Sequence, residues 1–366
     1  EVLEAAIKTA AEKASEAAKA AAQAAIEKKL ADAADLLLIA AENATEAKEI
    51  AKYYYNISAS TTNLVSERDQ NFLLKTKDNQ KFVLKIANSE EDPIVTEFQI
   101  FALVHINSKN NKNISVPKVI ISKDGKNSIK LQKGNKSYTT RIVSYLDGVP
   151  LFASKESEPN PSIAEGMGLY LARLGKSLKD FSHPGSNQSL LWDMKKALSI
   201  REITHHIISN PIRTMVEEVL NEFEDYAMPL FKSLRWQVIH NDMNPDNVLI
   251  DTSGTRNVCG MIDFGDMVYS PLIIDLAVAA AYLDTDDEDP MFLMNYFVSG
   301  YNKETPLKTK ELEILFDLIK VRVATTVAVL DWRKSFRDKD DPYLEINSND
   351  KSSLLLERLM NISREE

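Results

Sequence analysis

From Thr61 onward the apolar positions of the chain fall into alternation. Phe72, Leu74 and Thr76 alternate with polar neighbours, Lys77-Asp78-Asn79-Gln80 supplies a turn, and Phe82, Leu84 and Ile86 alternate again, which predicts a β-hairpin. Pro93 to Ile106 changes to helical spacing, with Phe98, Phe101, Ala102 and Ile106 apolar. Val116 to Tyr145 returns to strands, punctuated by Lys123-Asp124-Gly125 and Lys133-Gly134-Asn135 turns. Beyond these the pattern is mainly helical. Ile163, Met167, Tyr170, Leu171, Leu174 and Leu178 recur at helix spacing, and further helices are predicted near Leu190 to Ser209, Pro211 to Phe231, Pro271 to Leu283, Pro290 to Tyr301 and Leu307 to Phe336. The fold class is therefore α+β: a small antiparallel sheet with one helix, joined to a mainly helical region.

One stretch interrupts the helices and carries the chemistry. Val238-Ile239 leads into His240-Asn241-Asp242-Met243-Asn244-Pro245-Asp246-Asn247, after which Val248-Leu249-Ile250 resumes an apolar run. Val258 to Ile262 then reads as a short strand delivering Asp263-Phe264-Gly265-Asp266 at its end. Phosphoryl transfer needs one carboxylate to orient and deprotonate an attacking hydroxyl, and oxygen ligands to hold Mg2+ against the nucleotide phosphates. Asp242 fits the first role, and Asn247 with Asp263 the second. Asp and Asn also cap turns, but a turn alone does not require the second carboxylate beyond the following strands.

The stretch resembles the aminoglycoside phosphotransferase superfamily, small-molecule kinases of the protein-kinase-like fold whose loop usually reads HGDLHPGN. This chain departs from that loop at Asn241, Met243, Asn244 and Asp246 and keeps the base and metal positions. Ser66 to Phe72, Leu191-Trp192-Asp193 and Asp263 to Pro271 are most similar to the hydroxylysine kinase branch, which includes kinase domains joined to aminotransferase domains. The resemblance implies a bilobal architecture, Mg2+ as cofactor, ATP or GTP as co-substrate, and a link to an aminotransferase partner domain.

The same resemblance assigns the nucleotide side. Lys85, amid apolar residues of the second hairpin strand, resembles the lysine that contacts the α and β phosphates, although a solvent-facing edge lysine has the same local sequence. Its partner on the following helix is either Glu97, the natural ion pair, or Gln99, which stands at the family position. No glycine-rich loop is present; Ser66-Glu67-Arg68-Asp69-Gln70-Asn71 stands in its place, with Ser66 and Gln70 as phosphate-side candidates. Ser144-Tyr145-Leu146-Asp147-Gly148 resembles the hinge, where Ser144 and Leu146 would offer backbone groups to a purine edge. The cleft between the lobes is the expected site. For the phosphoryl acceptor the candidates are Trp192, Asp193, Asp266 and Tyr269, a carboxylate and aromatic set suited to an ammonium group.

Composition narrows the partners. A formal charge of -10 argues against a nucleic-acid-binding surface. The longest apolar run, near Leu272 to Leu283, contains Asp275 and is too short to cross a bilayer, so no membrane association is expected. Cys259 is the only cysteine, which makes a reducing, cytoplasmic location the expectation. Residues 1-45 differ from the rest: Glu1 to Ile50 is roughly two-fifths Ala with no Gly or Pro, a composition of high helix propensity. Those residues read as a helical leader packed on the rest, a remnant of a neighbouring domain, or a docking arm. The expected organisation is this leader, a nucleotide-binding lobe over 46-144, and a helical catalytic lobe over 145-366.

Taken together, the sequence predicts a small-molecule kinase that moves the γ-phosphate of ATP or GTP to a hydroxyl of a small amine or amino acid, hydroxylysine-like in class. An aminoglycoside-type antibiotic phosphotransferase and a catalytically silent kinase-fold binding module are the alternatives.

Overall fold

A computed structural model of the chain describes residues 44-64, 66, 69-153, 160-252, 257-285, 288-337 and 350-363. The Ala-rich leader up to residue 43, Glu67 and Arg68 lie outside them. The chain divides into two compact units, Glu1–Pro93 with Val119–Tyr145, and Ile94–Lys118 with Leu146–Glu366.

The first unit is an antiparallel sheet backed by one helix. The predicted hairpin forms as β2 (Gln70–Thr76) and β3 (Lys81–Ile86), and Asn79 takes the left-handed conformation (φ 62°) that the tight turn demands. β1 (Ala59–Leu64) adds to the outer edge of β2. It is mostly polar and exposed, so no alternation marks it in the sequence. On the other side β3 pairs with the long β6 (Lys136–Ser144), which also pairs with β4 (Val119–Ile120) and β5 (Ile129–Lys133). Gly125 (φ 74°) and Gly134 (φ 58°) make the intervening turns, where a left-handed backbone favours glycine.

Phe72, Leu74, Leu84 and Ile142 point to one face of this sheet and are fully buried. They pack with Ala47, Ile50, Ala51 and Tyr55, a stripe at helical spacing along α1 (Ala44–Tyr55). Lys85 lies on the opposite face by alternation, directly across from Asn71 on β2 and Arg141 on β6.

The second unit is helical, with two small sheets inside it. α2 (Pro93–Ser108) extends the predicted helix by two residues and stacks Phe98 on Phe181, ring centroids 5.9 Å apart. α3 (Pro161–Leu178) opens on Asn160, whose side-chain oxygen accepts from Ile163 N at 3.0 Å. α4 (Asn210–Glu222) runs on into a π turn and a 3-10 turn as far as Ser233. α5 (Leu272–Ala280) is buried along its whole length. α6 (Phe292–Glu304) lies against α3 where both helices are stripped to glycine. A Cβ on Gly168 would stand 1.9 Å from the Phe297 carbonyl oxygen, and one on Gly300 2.1 Å from that of Glu165.

α7 (Thr309–Lys334) is exposed in its first turn and largely buried on every side from Ile314 to Trp332, and α8 (Asp350–Met360) packs beside it. The segment 190-209 is not the helix its spacing suggests. It forms 3-10 turns over Met194–Glu202 and Thr204–His206, because Asp193 caps the first of them and Lys196 leaves helical geometry.

Short strands frame the polar loops. β8 (Trp236–Ile239) pairs with β11 (Val268–Pro271), and β9 (Val248–Ile250) pairs with β7 (Val149–Pro150) and β10 (Val258–Met261). Each loop therefore begins and ends on a strand held by its neighbour. Cys259 is half-buried on β10.

Candidate active site

The loop from β8 to β9 is closed on itself by its own side chains. Asn247 donates Nδ2 to the carbonyl oxygen of Asp242 at 2.9 Å and to its carboxylate Oδ2 at 2.8 Å. Asn244 donates to the other carboxylate oxygen at 3.0 Å, while its own Oδ1 accepts from the amides of Asp246 (2.9 Å) and Asn247 (3.1 Å). Asp242 is thereby fixed in one orientation. Ile262 N donates to Asn247 O at 2.9 Å, which ties this loop to the segment carrying Asp263.

Asn241 explains a departure from the usual loop sequence. Its φ is 64°, in the left-handed region where glycine is at ease and Asn is the best-tolerated alternative. The side chain that replaces glycine is put to use: Asn241 Nδ2 donates to Asp266 O at 3.2 Å. Met243, where the usual loop has leucine, keeps an apolar side chain fully buried. Beneath the loop, buried Asp275 on α5 accepts from His240 N at 3.2 Å and Asn241 N at 2.8 Å, so its two oxygens brace both residues before Asp242. His240 accepts from Asp242 N through Nδ1 at 3.3 Å and meets Phe264 edge to face, centroids 4.7 Å apart.

Asp263 stands at the end of the second segment, exposed and again left-handed (φ 58°), with Oδ1 accepting from Gly265 N at 3.1 Å. The turn after it is held by Gln188, which donates to the carbonyls of Gly265 (3.0 Å) and Met267 (2.7 Å). Sequence reasoning missed Gln188, since a lone glutamine far from the motif carries no signal.

Electrostatics separate the roles. The Asp242 carboxyl is pushed up to about 7, first by desolvation and then by the Asp266 and Asp263 carboxylates, against the pull of Arg322 and the Asn244 hydrogen bond. Complete burial pushes His240 down to about 4, which makes it a neutral orienting group and not a base near neutrality. Burial also raises Asp275 to about 6, opposed by the two amides it accepts. Among the described residues no cluster of three or more His, Cys, Asp or Glu side chains could hold a metal. The side-chain oxygens of Asn247 and Asp263 are nonetheless hard donors of the kind Mg2+ takes together with phosphate oxygens and water.

The acceptor candidates meet different surroundings. Asp193 is buried, caps the 3-10 turn through Lys195 N (3.1 Å) and pairs with Lys195 Nζ at 3.3 Å. The same ammonium donates to Tyr269 O at 2.5 Å, which joins the two predicted segments. The Tyr269 ring is exposed and rests on Trp236, centroids 5.5 Å apart. Asp266 is buried, and its charge is felt at Asp242. Trp192 carries protein cations on its ring: the Arg322 guanidinium lies 4.6 Å from its centroid and that of Arg333 5.7 Å. Lys195 and Arg322, which contact these candidates, were not disclosed by the sequence motifs.

The nucleotide-side candidates lie on both units. In the first unit Lys85 is half-buried, Ser66 Oγ accepts from Asp69 N at 3.4 Å, Gln70 opens β2 opposite Ile86, and Ser144 closes β6 opposite Phe82. Arg141, 2% exposed, shares the sheet face of Lys85 and was not anticipated. In the second unit Gln99 is buried on α2 and Glu97 is exposed, while Leu146 packs near Gly260.

A sequence profile of the phosphotransferase enzyme family, APH, matches residues 61–312. A hydroxylysine kinase from Mus musculus is 26% identical over 309 residues, covering 78% of this chain and 80% of the relative. Among solved structures, the microcompartment-associated aminopropanol kinase aligns with a TM-score of 0.68 at 18% identity, over 86% of this chain and 97% of the other. An amicoumacin kinase in complex with AMP-PNP and Ca2+ aligns with a TM-score of 0.65 at 16% identity, over 87% and 95% of the two chains.

Proposed function

The chain belongs to the phosphotransferase enzyme family, and on that premise we propose that it is a kinase carrying the γ-phosphate of ATP or GTP to a hydroxyl of a small amine or amino acid, hydroxylysine being the first acceptor to test. The observation that carries this reading is the closed loop in which Asn244 and Asn247 hold both carboxylate oxygens of Asp242. Such a carboxylate is oriented before any substrate arrives, and positioning is most of what phosphoryl transfer asks of a protein.

In this reading the acceptor hydroxyl gives its proton to Asp242 as its oxygen bonds to the γ-phosphorus, and the bond from that phosphorus to the β-bridging oxygen breaks, releasing the nucleoside diphosphate. Mg2+ when bound supplies charge neutralisation on the phosphates, and Asn247 and Asp263 are the residues proposed to hold it. Lys85, Ser66, Gln70, Gln99, Ser144 and Leu146 are assigned to the nucleotide. Asp266, Trp192, Asp193 and Tyr269 are assigned to the acceptor side, Asp193 and Trp192 through the residues they position, Lys195 and Arg322.

The similarity to a hydroxylysine kinase supports a small acceptor bearing an amine. No described helix is long and apolar enough to cross a membrane. A cytoplasmic location and a joined aminotransferase partner rest on the sequence reading alone. A thermal-shift series with ATP and GTP plus Mg2+, followed by a coupled assay with hydroxylysine, tests the proposal. Nucleotide-dependent stabilisation and phosphorylation of the amine are expected; no shift with either nucleotide would favour the silent binding module.

A further inference from the structure

Two cations are fully buried among the described residues of the second unit, Lys320 and Arg322, and only the first meets a carboxylate there, as half-buried Arg235 also does. Arg235 meets Glu311 through Nε at 2.7 Å and Nη2 at 2.5 Å, and Lys320 on α7 meets Glu222 at 2.5 Å. Arg322, two residues beyond Lys320, is 2% exposed and has no ion pair among the described residues. Its surroundings are aromatic. The guanidinium lies 4.6 Å from the centroid of Trp192 and 5.6 Å from that of Tyr282, and Nη2 donates to the Tyr282 hydroxyl at 2.8 Å. Nε and Nη1 are shut off from solvent with no hydrogen-bond partner.

A guanidinium buried with two donors unspent is costly, and aromatic faces offset only part of that cost. A carboxylate would repay it, since arginine is the side chain suited to that group. The protein does not supply one. Asp242 is near enough for the two charges to be felt, but its oxygens are already held by Asn244 and Asn247. The wanted partner must therefore come with the ligand, beside the carboxylate proposed to take the hydroxyl proton.

We propose that Arg322 binds the carboxylate of the phosphoryl acceptor, so that the acceptor is a hydroxylated amino acid and not a plain amino alcohol. This rests on the kinase reading above and deepens it. Asp242, Asp263 and Asp266 would repel a carboxylate, whereas they suit an ammonium group. An amino acid needs one region of each sign, and Arg322 supplies the positive one. Because Nε and Nη1 are closed to water, the carboxylate reaches them with a shift of the half-buried Trp192 ring.

The test compares hydroxylysine with its decarboxylated amine, which keeps the hydroxyl and both amino groups. Wild-type kcat/KM should favour hydroxylysine by roughly 100-fold, the scale of discrimination given by a buried polar group that only one substrate satisfies. Arg322→Met should bring the ratio between the two substrates close to one, and Arg322→Lys should leave an intermediate ratio, since a point charge replaces the planar fork. An effect of Arg322 only on the Asp242 charge would lower both substrates together and keep the ratio, which would overturn the assignment. A wild-type ratio near one would overturn it without any variant, and the kinase reading would stand. A wild-type enzyme that binds nucleotide and phosphorylates neither compound would remove the acceptor reading and this assignment together.

Discussion

Asn247 Nδ2 bridges the backbone oxygen and the carboxylate Oδ2 of Asp242, at 2.9 and 2.8 Å. One amide group thus fixes the orientation of the proposed base, and its side-chain oxygen is the atom proposed to meet the cation. Asp242→Ala should lower kcat by about 10²- to 10⁴-fold, the usual contribution of a positioned acid-base group. Nucleotide binding, read by thermal shift, should survive. Full turnover in the variant would remove Asp242 from its proposed role.

Asp263 has a separate signature. Its carboxylate is exposed and accepts from Gly265 N, and as a proposed Mg2+ ligand its loss in Asp263→Ala should raise the Mg2+ concentration needed for half-maximal activity. Chelation of divalent metal should abolish turnover in the wild type. An Asp263→Ala enzyme with unchanged Mg2+ dependence would contradict the ligand assignment.

Asp275 acts through the loop and not on substrate. Replacement by Asn turns one acceptor into a donor that faces the amides of His240 and Asn241, at a cost of about 1–3 kcal/mol for a buried group left unsatisfied. Asp275→Asn should lower both melting temperature and kcat, with the KM for nucleotide changing less than kcat. A variant with lower melting temperature and wild-type kcat would show a brace for stability only.

His240 links stability to pH. Burial holds its folded pKa near 4, below the ordinary 6.5, so between those values the unfolded chain takes up a proton that the folded chain refuses. The contribution is complete above pH 6.5 and is lost as pH falls toward 4. Asp275, raised from 3.8 to about 6, works in the opposite sense, contributing stability below 3.8 that is lost as pH rises through 6. The drop in melting temperature from pH 7 to pH 5 should therefore be smaller in His240→Asn than in the wild type. An equal drop would mean that His240 is not held neutral.

The α3 and α6 contact tolerates no side chain at its closest point. Gly168→Ala places a Cβ against backbone that cannot turn aside, and overpacking of this kind costs about 1–3 kcal/mol or more. Chemical denaturation should show the loss, and Gly166→Ala, whose Cβ would meet only Val258 at 3.6 Å, is the control expected to change little.

What the sequence disclosed was local. The hairpin bearing Lys85 and the loop bearing Asp242 and Asn247 are each encoded within one short continuous stretch of alternation and turn chemistry. β1 escaped because it is polar on both faces, and 190-209 was misread because a cap at Asp193 outweighs helical spacing. Arg322 was illegible for a different reason. Beyond its first turn α7 is buried nearly all round, so no polar stripe singles out one of its cations, and the aromatic groups that enclose Arg322 come from distant parts of the chain. The expected leader up to residue 43 and the Glu67 and Arg68 part of the phosphate loop lie outside the described residues.

The stacking of Arg322 and Arg333 on Trp192 has an optical consequence. Indole emission responds to nearby charge, and only three tryptophans share the signal. Trp332 is sealed in the core, Trp236 rests against Tyr269, and Trp192 is the one that carries two guanidinium groups on its ring. If the acceptor seats at Arg322 as proposed, its arrival should change the emission of the unlabelled protein, and a fluorescence titration with hydroxylysine reads that directly.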